Sequence, residues 1–320
     1  MARVSVLGGT FAGVAAAVRL ARVGHTVTLV EPDAAWPDLL RAQLRDPIDF
    51  PAPWRDLFTK SGRPAAGALG LHGLTLAPDP GTPADRGAWW RHDVAALGEP
   101  AASAWRDLVD AADDVWQALR PLGLEAELTP GAVAQGVRAG LLDGRRSLAH
   151  VAARLPHPVL AARVRALAAD LGLAPADAPA WLVSRLSVRR TFGRWRLVDA
   201  AGAAASAARL VDVLLDRLDA RGVPVADTEP DADAQVDTRD PGLVWHSPRR
   251  LRRGDTFVDQ LLARPGIRVA GEPRRFAASA SSAGGAEPWA QLLSGALATY
   301  AAHEALTGED IRPTNRNRGH

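Results

Sequence analysis

Cysteine is absent from the 320 residues, and lysine and tyrosine occur once each, as Lys60 and Tyr300. Without cysteine there is no thiolate nucleophile, no disulfide and no cysteine-ligated zinc or iron–sulfur site. With one lysine and one tyrosine, almost nothing titrates between neutrality and strongly alkaline pH. The high isoelectric point therefore reflects a small surplus, 38 Lys+Arg against 36 Asp+Glu, a net charge of only +2. Such a balance gives no bulk attraction to phosphate backbones, and nucleic acid is not an expected partner. No apolar run reaches the roughly 18 to 20 residues of a membrane-spanning helix, so no transmembrane segment is expected. The eight histidines are scattered without metal-ligand spacing, and His303 beside Glu304 reads as a polar helix face; no metal site is expected. A nucleophile-elbow signature for Ser/His/Asp hydrolysis is also missing.

What remains is an ordinary globular composition, 47% hydrophobic and 23% charged, which excludes disordered and collagen-like classes. Arg3 followed by apolar residues 4–18, with Ala15, Ala16 and Ala17, has the outline of a secretory leader. A strand, a glycine turn and a helix explain the same residues better, and a cytoplasmic location is the expectation. Residues 3–7 read as a buried strand, 8–13 as a turn, and the following helix runs to about Arg22, where Val23-Gly24 ends it. A second strand spans 25–30 and closes at Glu31, which lies 23 positions after Gly8.

From about Pro37 to Leu197 the pattern turns mainly helical. The clearest segment is 101–119, where Trp105, Leu108, Val109, Ala112, Val115, Trp116 and Leu119 recur at helical spacing. Shorter helices are expected at 53–60, 147–154, 158–171 and 177–186, and strands at 71–76 and 194–198. After Asp199 the alternation returns: a helix over 203–221, strands at 223–226, 234–238 and 266–270, and a last helix over 287–305. The alanine-rich stretch 200–208 reads as high helix propensity. The expected fold is α/β, a Rossmann-like dinucleotide-binding domain in two parts, 1–45 and 198–320. A mainly helical substrate or cap domain, 46–197, is inserted between them.

A dinucleotide site needs a tight turn after the first strand and a helix terminus whose free N–H groups face the pyrophosphate. Gly8-Gly9-Thr10-Phe11-Ala12-Gly13 supplies the first and third glycines, with Thr10 in the middle position and its β-carbon in the path of the phosphate. Glu31 would accept a ribose diol, and with Asp33 beside it and no basic residue nearby in sequence, a 2′-phosphate would be repelled. NAD is therefore favoured over NADP among nicotinamide cofactors.

Residues 4–31, VSVLGGTFAGVAAAVRLARVGHTVTLVE, resemble the opening of the phytoene-desaturase-like and amine-oxidase-like FAD oxidoreductases. Residues 266–272, then Gly284-Gly285-Ala286-Glu287-Pro288-Trp289 and the helix through Leu293-Ser294-Gly295-Ala296, resemble the family's close; residues 187–195 and the unit through Val225 resemble its middle. The resemblance implies FAD as cofactor, with Gly8 to Gly13 and Glu31 on its ADP half. It implies Gly271-Glu272 beside the ribityl chain, and a turn of Gly285, Ala286, Glu287 and Trp289 whose helix points at the isoalloxazine ring. Pro288 at a first helical position suits such a terminus. The implied activity is hydride transfer from an apolar small molecule to flavin, chemistry carried by the cofactor, and no catalytic side chain is assigned.

The sequence departs from that family at Thr10, at Glu272 where aspartate is usual, in its short length, and in lacking the Gly-Gly-Arg segment after the second strand. Two alternatives stay open: a flavin-free, non-catalytic relative acting as an accessory or interaction protein, and an NAD-binding Rossmann protein. Two arginine groups, Arg185, Arg189, Arg190, Arg194 and Arg196, then Arg249, Arg250, Arg252 and Arg253, read as solvated or ion-paired faces, or as clamps for a diphosphate or carboxylate. Trp89, Trp90, Trp105, Trp116 and Trp181 read as core, or as walls of an apolar channel. Contact of the arginines with a membrane surface, and the oligomeric state, stay open.

Overall fold

A computed structural model describes residues 1–83, 86–239 and 255–313. Five parallel strands form the central sheet: β1 (Arg3–Leu7), β2 (Thr26–Val30), β7 (Val225–Ala226), β8 (Ala234–Asp237) and β9 (Arg275–Ala277), in the order β7-β2-β1-β8-β9. An antiparallel sheet joins β3 (Ile48–Asp49), β5 (Arg194–Asp199) and β4 (Leu74–Pro78), with β6 (Ala204–Ala205) on β5. The helices, in chain order, are α1 (Phe11–Arg22), α2 (Trp36–Gln43), α3 (Ala52–Lys60), α4 (Ala65–Gly70), α5 (Arg86–Leu97), α6 (Glu99–Leu119) and α7 (Pro130–Arg138). They continue as α8 (Leu148–Ala153), α9 (Pro158–Ala169), α10 (Ser184–Phe192), α11 (Leu210–Asp219), α12 (Phe257–Leu262) and α13 (Pro288–Thr307). The chain is thus α/β, with a strand order compatible with a Rossmann-like fold. Among the described residues no helix is long and apolar enough to cross a membrane.

The opening unit agrees closely with the sequence pattern. β1 pairs in parallel with β2 along its whole length, Arg3 with Thr26 to Leu7 with Val30, and Gly24 (φ 95°) makes the left-handed exit from α1. Helix α1 is buried on nearly every side because it lies among the sheet, α3, α11 and α13. Its small residues let α13 come close: a β-carbon on Gly295 would collide with the backbone carbonyl of Ala12. Below that seam the His25 and His303 rings are buried and meet at 2.9 Å, Nε2 to Nδ1.

Two large apolar clusters organise the rest, with a smaller third around Phe50, Trp116 and Trp289. One gathers the parallel sheet, α1, α3, α11 and α13 and also takes in Ile48, Trp54, Leu57, Leu69, Leu74 and Leu197. Residues 48–74 therefore pack with the sheet, and the expected boundary at residue 46 coincides with no division of the core. The second cluster is built from Trp105, Val109, Leu148, Leu160, Val164, Trp181 and Leu186, and Leu261 of α12 joins it from the closing part of the chain.

Three expectations are corrected. The alanine-rich stretch 200–208 is non-helical up to Ser206 and gives only the start of a 3₁₀ turn, Ala207–Arg209, before α11: Asp199 Oδ1 accepts the N–H groups of Ala201 and Ala203 at 2.9 Å, Gly202 (φ 80°) turns the chain, and β6 returns onto β5. Side-chain capping and sheet pairing override propensity there. The helix expected at 177–186 begins as a 3₁₀ turn at Ala180–Val183 and becomes α10, which runs on through Phe192. The closing strand of the parallel sheet is β9, and residues 266–270 contribute only an antiparallel bridge from Arg268 to Phe276.

Candidate functional site

The sheet order reverses between β1 and β8, and open α/β sheets bind ligands beyond the carboxyl ends of such a strand pair. Gly8 leaves β1 with φ 102°, a conformation that a side chain would strain. A β-carbon on Gly13 would run into the Gly8 carbonyl and come within 2.7 Å of Thr238 Oγ1. Both outer glycines of the turn are thus required by close backbone approach. Gly9 is required too, because a β-carbon there would fall 2.6 Å from the Trp36 indole.

Thr10 turns its hydroxyl inward. As N-cap of α1 it accepts the Gly13 N–H at 3.0 Å and donates to Thr238 Oγ1 at 3.0 Å, while Thr238 donates to the carbonyls of Leu7 (2.8 Å) and Gly8 (2.9 Å). Thr10 therefore locks β1, α1 and β8 together. Phe11 is fully buried, its ring edge-on to Trp54 at 5.6 Å, and Ala12 is buried beneath Gly295. Among the described residues the N–H groups of Phe11 and Ala12 have no hydrogen-bond partner. The Ser294 hydroxyl, one residue before Gly295, is likewise buried and unpartnered.

Glu31 closes β2 at the same end. Its carboxylate accepts the Gly9 N–H at 2.7 Å and the Asp33 N–H at 3.0 Å, which fixes its direction beside the turn. Opposite it stand two residues that the sequence pattern did not single out, Thr238 and Arg239. Arg239 lies close enough to Gly8 that a β-carbon there would meet its Cγ at 3.0 Å, and it forks onto Asp237 at 3.0 and 2.7 Å. Burial alone would raise the Asp237 carboxyl, but its bonds from Arg239 and Arg275 more than offset this and hold it below the ordinary carboxylate range. Along the chain Glu31 has no basic neighbour, while in space Arg239 lies against Gly8, whose neighbour Gly9 donates its N–H to Glu31.

The other half of the expected site is not assembled. Gly271 and Glu272 lie in the turn that enters β9, at the amino end of the sheet, where Glu272 pairs with Arg275 at 3.2 Å. They are at the opposite end from Gly8 and Glu31. At the carboxyl end β9 runs into Ala278 and Ser279, neither of them a carboxylate, and Ser279, Ser281 and Ser282 are buried. The Gly284-Gly285 turn does begin α13, yet it is packed: a β-carbon on Gly284 would lie 2.9 Å from the Gly123 carbonyl, and one on Gly123 would lie 2.5 Å from Ala283 Cβ. Glu287, the N-cap of α13, is ion-paired with Arg185, whose guanidinium lies 5.7 Å from the Trp289 ring. Phe50, held at φ 49°, packs its ring against Trp116 (5.6 Å), Phe192 (4.7 Å) and Trp289 (5.1 Å).

No protein-family model and no curated protein matches this chain. The family resemblance therefore rests on the residues themselves, and they fit a flavin dinucleotide in one half only. The cradle of Gly8, Gly13 and the Phe11 and Ala12 N–H groups, which have no partner among the described residues, has donors of the kind a diphosphate takes, and Glu31 is an acceptor of the kind a ribose diol takes. The start of α13, which the resemblance points toward the isoalloxazine ring, packs with Phe50, Trp116 and Phe192 around Trp289 and carries the Arg185–Glu287 pair.

The first arginine group is largely ion-paired: Arg189 to Asp49 and Asp170, both at 2.8 Å, Arg190 to Asp110, and Arg194 to Asp49 at 3.5 Å. The second group, Arg249 to Arg253, and the Trp90 side chain lie outside the described residues. Trp105, Trp116 and Trp181 are buried in the cores, while Trp89 faces a cavity of about 440 Å³ among the helices.

Proposed function

We propose that this chain is a flavin-free nucleotide-binding protein of the Rossmann type, which takes the ADP moiety shared by NAD and FAD at the Gly8–Gly13 turn. Residues 86–192 are read as a helical insertion into that fold. One observation carries the reading: the backbone N–H groups of two buried residues at the start of α1, Phe11 and Ala12, have no partner among the described residues and lie between Gly8 and the strand-terminal Glu31. A diphosphate would take those donors at the positive end of the helix, and the ribose diol would take Glu31. Thr10 serves by capping and Arg239 by adding positive charge beside Gly8, while Trp36 covers Gly9.

The aromatic packing ahead of α13 supports the flavin-free form over the flavin oxidoreductase that the resemblance implies. Calorimetric titration with ADP tests the reading. Saturable binding at one site per chain is expected, with inorganic pyrophosphate weaker because it lacks the ribose that Glu31 would hold. An absence of binding at millimolar ADP would overturn it.

A further inference from the structure

The cavity among α5, α6, α9 and α10 shares no lining residue with the nucleotide turn, and its walls have a definite chemistry. About 440 Å³ lies within the range of small-ligand pockets, roughly 300–1,000 Å³. Trp89, Trp105, Val109 and Leu186 supply apolar and aromatic surface, and five arginines reach the same space against two carboxylates, Asp93 and Asp110.

The arginines are braced from different sides. Arg163 is held by Asp93 at 3.3 Å and lies 5.3 Å from the Trp105 ring, while Arg189 is anchored by Asp49 and Asp170, neither of which lines the cavity. Arg194 also leans on Asp49. Arg190 pairs with Asp110, and its buried Nε–H has no hydrogen-bond partner. A guanidinium held by a carboxylate is fixed in orientation and keeps further N–H donors for an incoming oxyanion; Asp49 holds Arg189 and Arg194 from outside the cavity, whereas Asp110 holds Arg190 from the cavity wall itself. Indole faces beside such groups favour a flat ring over a flexible chain.

We propose that this cavity is a binding site for an aromatic organic anion, its ring against Trp89 and Trp105 and its carboxylate or sulfonate on Arg190 and its neighbours. The reading stands independently of nucleotide binding. It also explains why three members of one arginine group, Arg189, Arg190 and Arg194, converge on a space walled by tryptophan.

The test uses the full chain and two fluorescent probes with the same rings, anionic anilinonaphthalenesulfonate and uncharged phenylnaphthylamine. The anion should bind saturably at one site, at least tenfold tighter than the neutral probe. Arg190→Met should weaken the anion about tenfold while leaving the neutral probe unchanged, and Arg190→Lys should recover part of the loss. Ala166→Trp, at an exposed edge of the lining, should exclude both probes while near-ultraviolet circular dichroism confirms the native fold. Equal affinity for the two probes, or anion binding untouched by either Arg190→Met or Ala166→Trp, would overturn the proposal.

Discussion

Two long buried helices, α1 and α13, both begin at glycine-rich turns, and the two turns differ in what packs against them. At α1 the close contacts come from within the turn and from Trp36, Thr238 and Arg239, and among the described residues the N–H groups of Phe11 and Ala12 have no partner. At α13 the contacts come from distant parts of the chain: Gly123 and Leu124 on Gly284, Arg185 on Glu287, and Phe50, Trp116 and Phe192 around Trp289. On the proposed reading, a glycine turn before a helix serves as a site only where the rest of the fold does not pack across it. The two termini share a sequence signature and differ in tertiary surroundings.

The most severe way to break this comparison is to attack the seam common to both helices. Gly295→Leu forces a side chain into the Ala12 backbone, and over-packing against main chain should cost about 3 kcal/mol or more in urea unfolding, with loss of nucleotide binding. Arg185→Met acts on α13 alone. It strands the largely buried Glu287 carboxylate, one of whose oxygens already lacks a partner, and should cost about 2 to 4 kcal/mol while ADP affinity in native protein stays unchanged. A fall in ADP affinity in that variant would mean that the two termini form one site.

Glu31→Gln acts on α1 alone. It keeps the side-chain shape, forfeits one of the two carboxylate bonds from Gly9 and Asp33, and should weaken ADP at least tenfold, about 1.4 kcal/mol, with a smaller loss of stability. The gentlest probe is pH. Burial, then the neighbouring His303 and the amino terminus, depress the His25 pKa below its usual 6.5. As pH falls below 6.5 the unfolded chain binds a proton that the folded chain resists, so the stabilising contribution of neutral His25 is present above that pH and declines below it. Thermal melts of His25→Gln should show a shallower acid decline than the parent between pH 7 and pH 5.

Legibility in the sequence divides along the same line. The β1–α1–β2 unit, Glu31 and the long helix α6 were legible because local periodicity, a glycine exit and a strand-terminal acid all agree there. Gly271 and Glu272 were misplaced because residues 266–272 look as strand-like as Arg275–Ala277, and only pairing with β8 decides which enters the sheet. Thr238 and Arg239 went unmarked because a threonine and an arginine after a short strand carry no pattern. Their importance comes from β8 lying beside β1. The closure of the α13 turn was illegible for the same reason, since Phe50, Trp116, Arg185 and Trp289 are far apart in the chain and meet only in the fold.

The most direct test is a competition between ADP and FAD on the purified full chain, with desalting and a visible absorption spectrum afterwards. The account predicts that ADP binds, that FAD competes no more tightly than ADP, and that the desalted protein shows no flavin bands. Stoichiometric flavin retained through desalting, with its fluorescence quenched, would contradict it and would mean that the aromatic cluster before α13 opens to receive the ring.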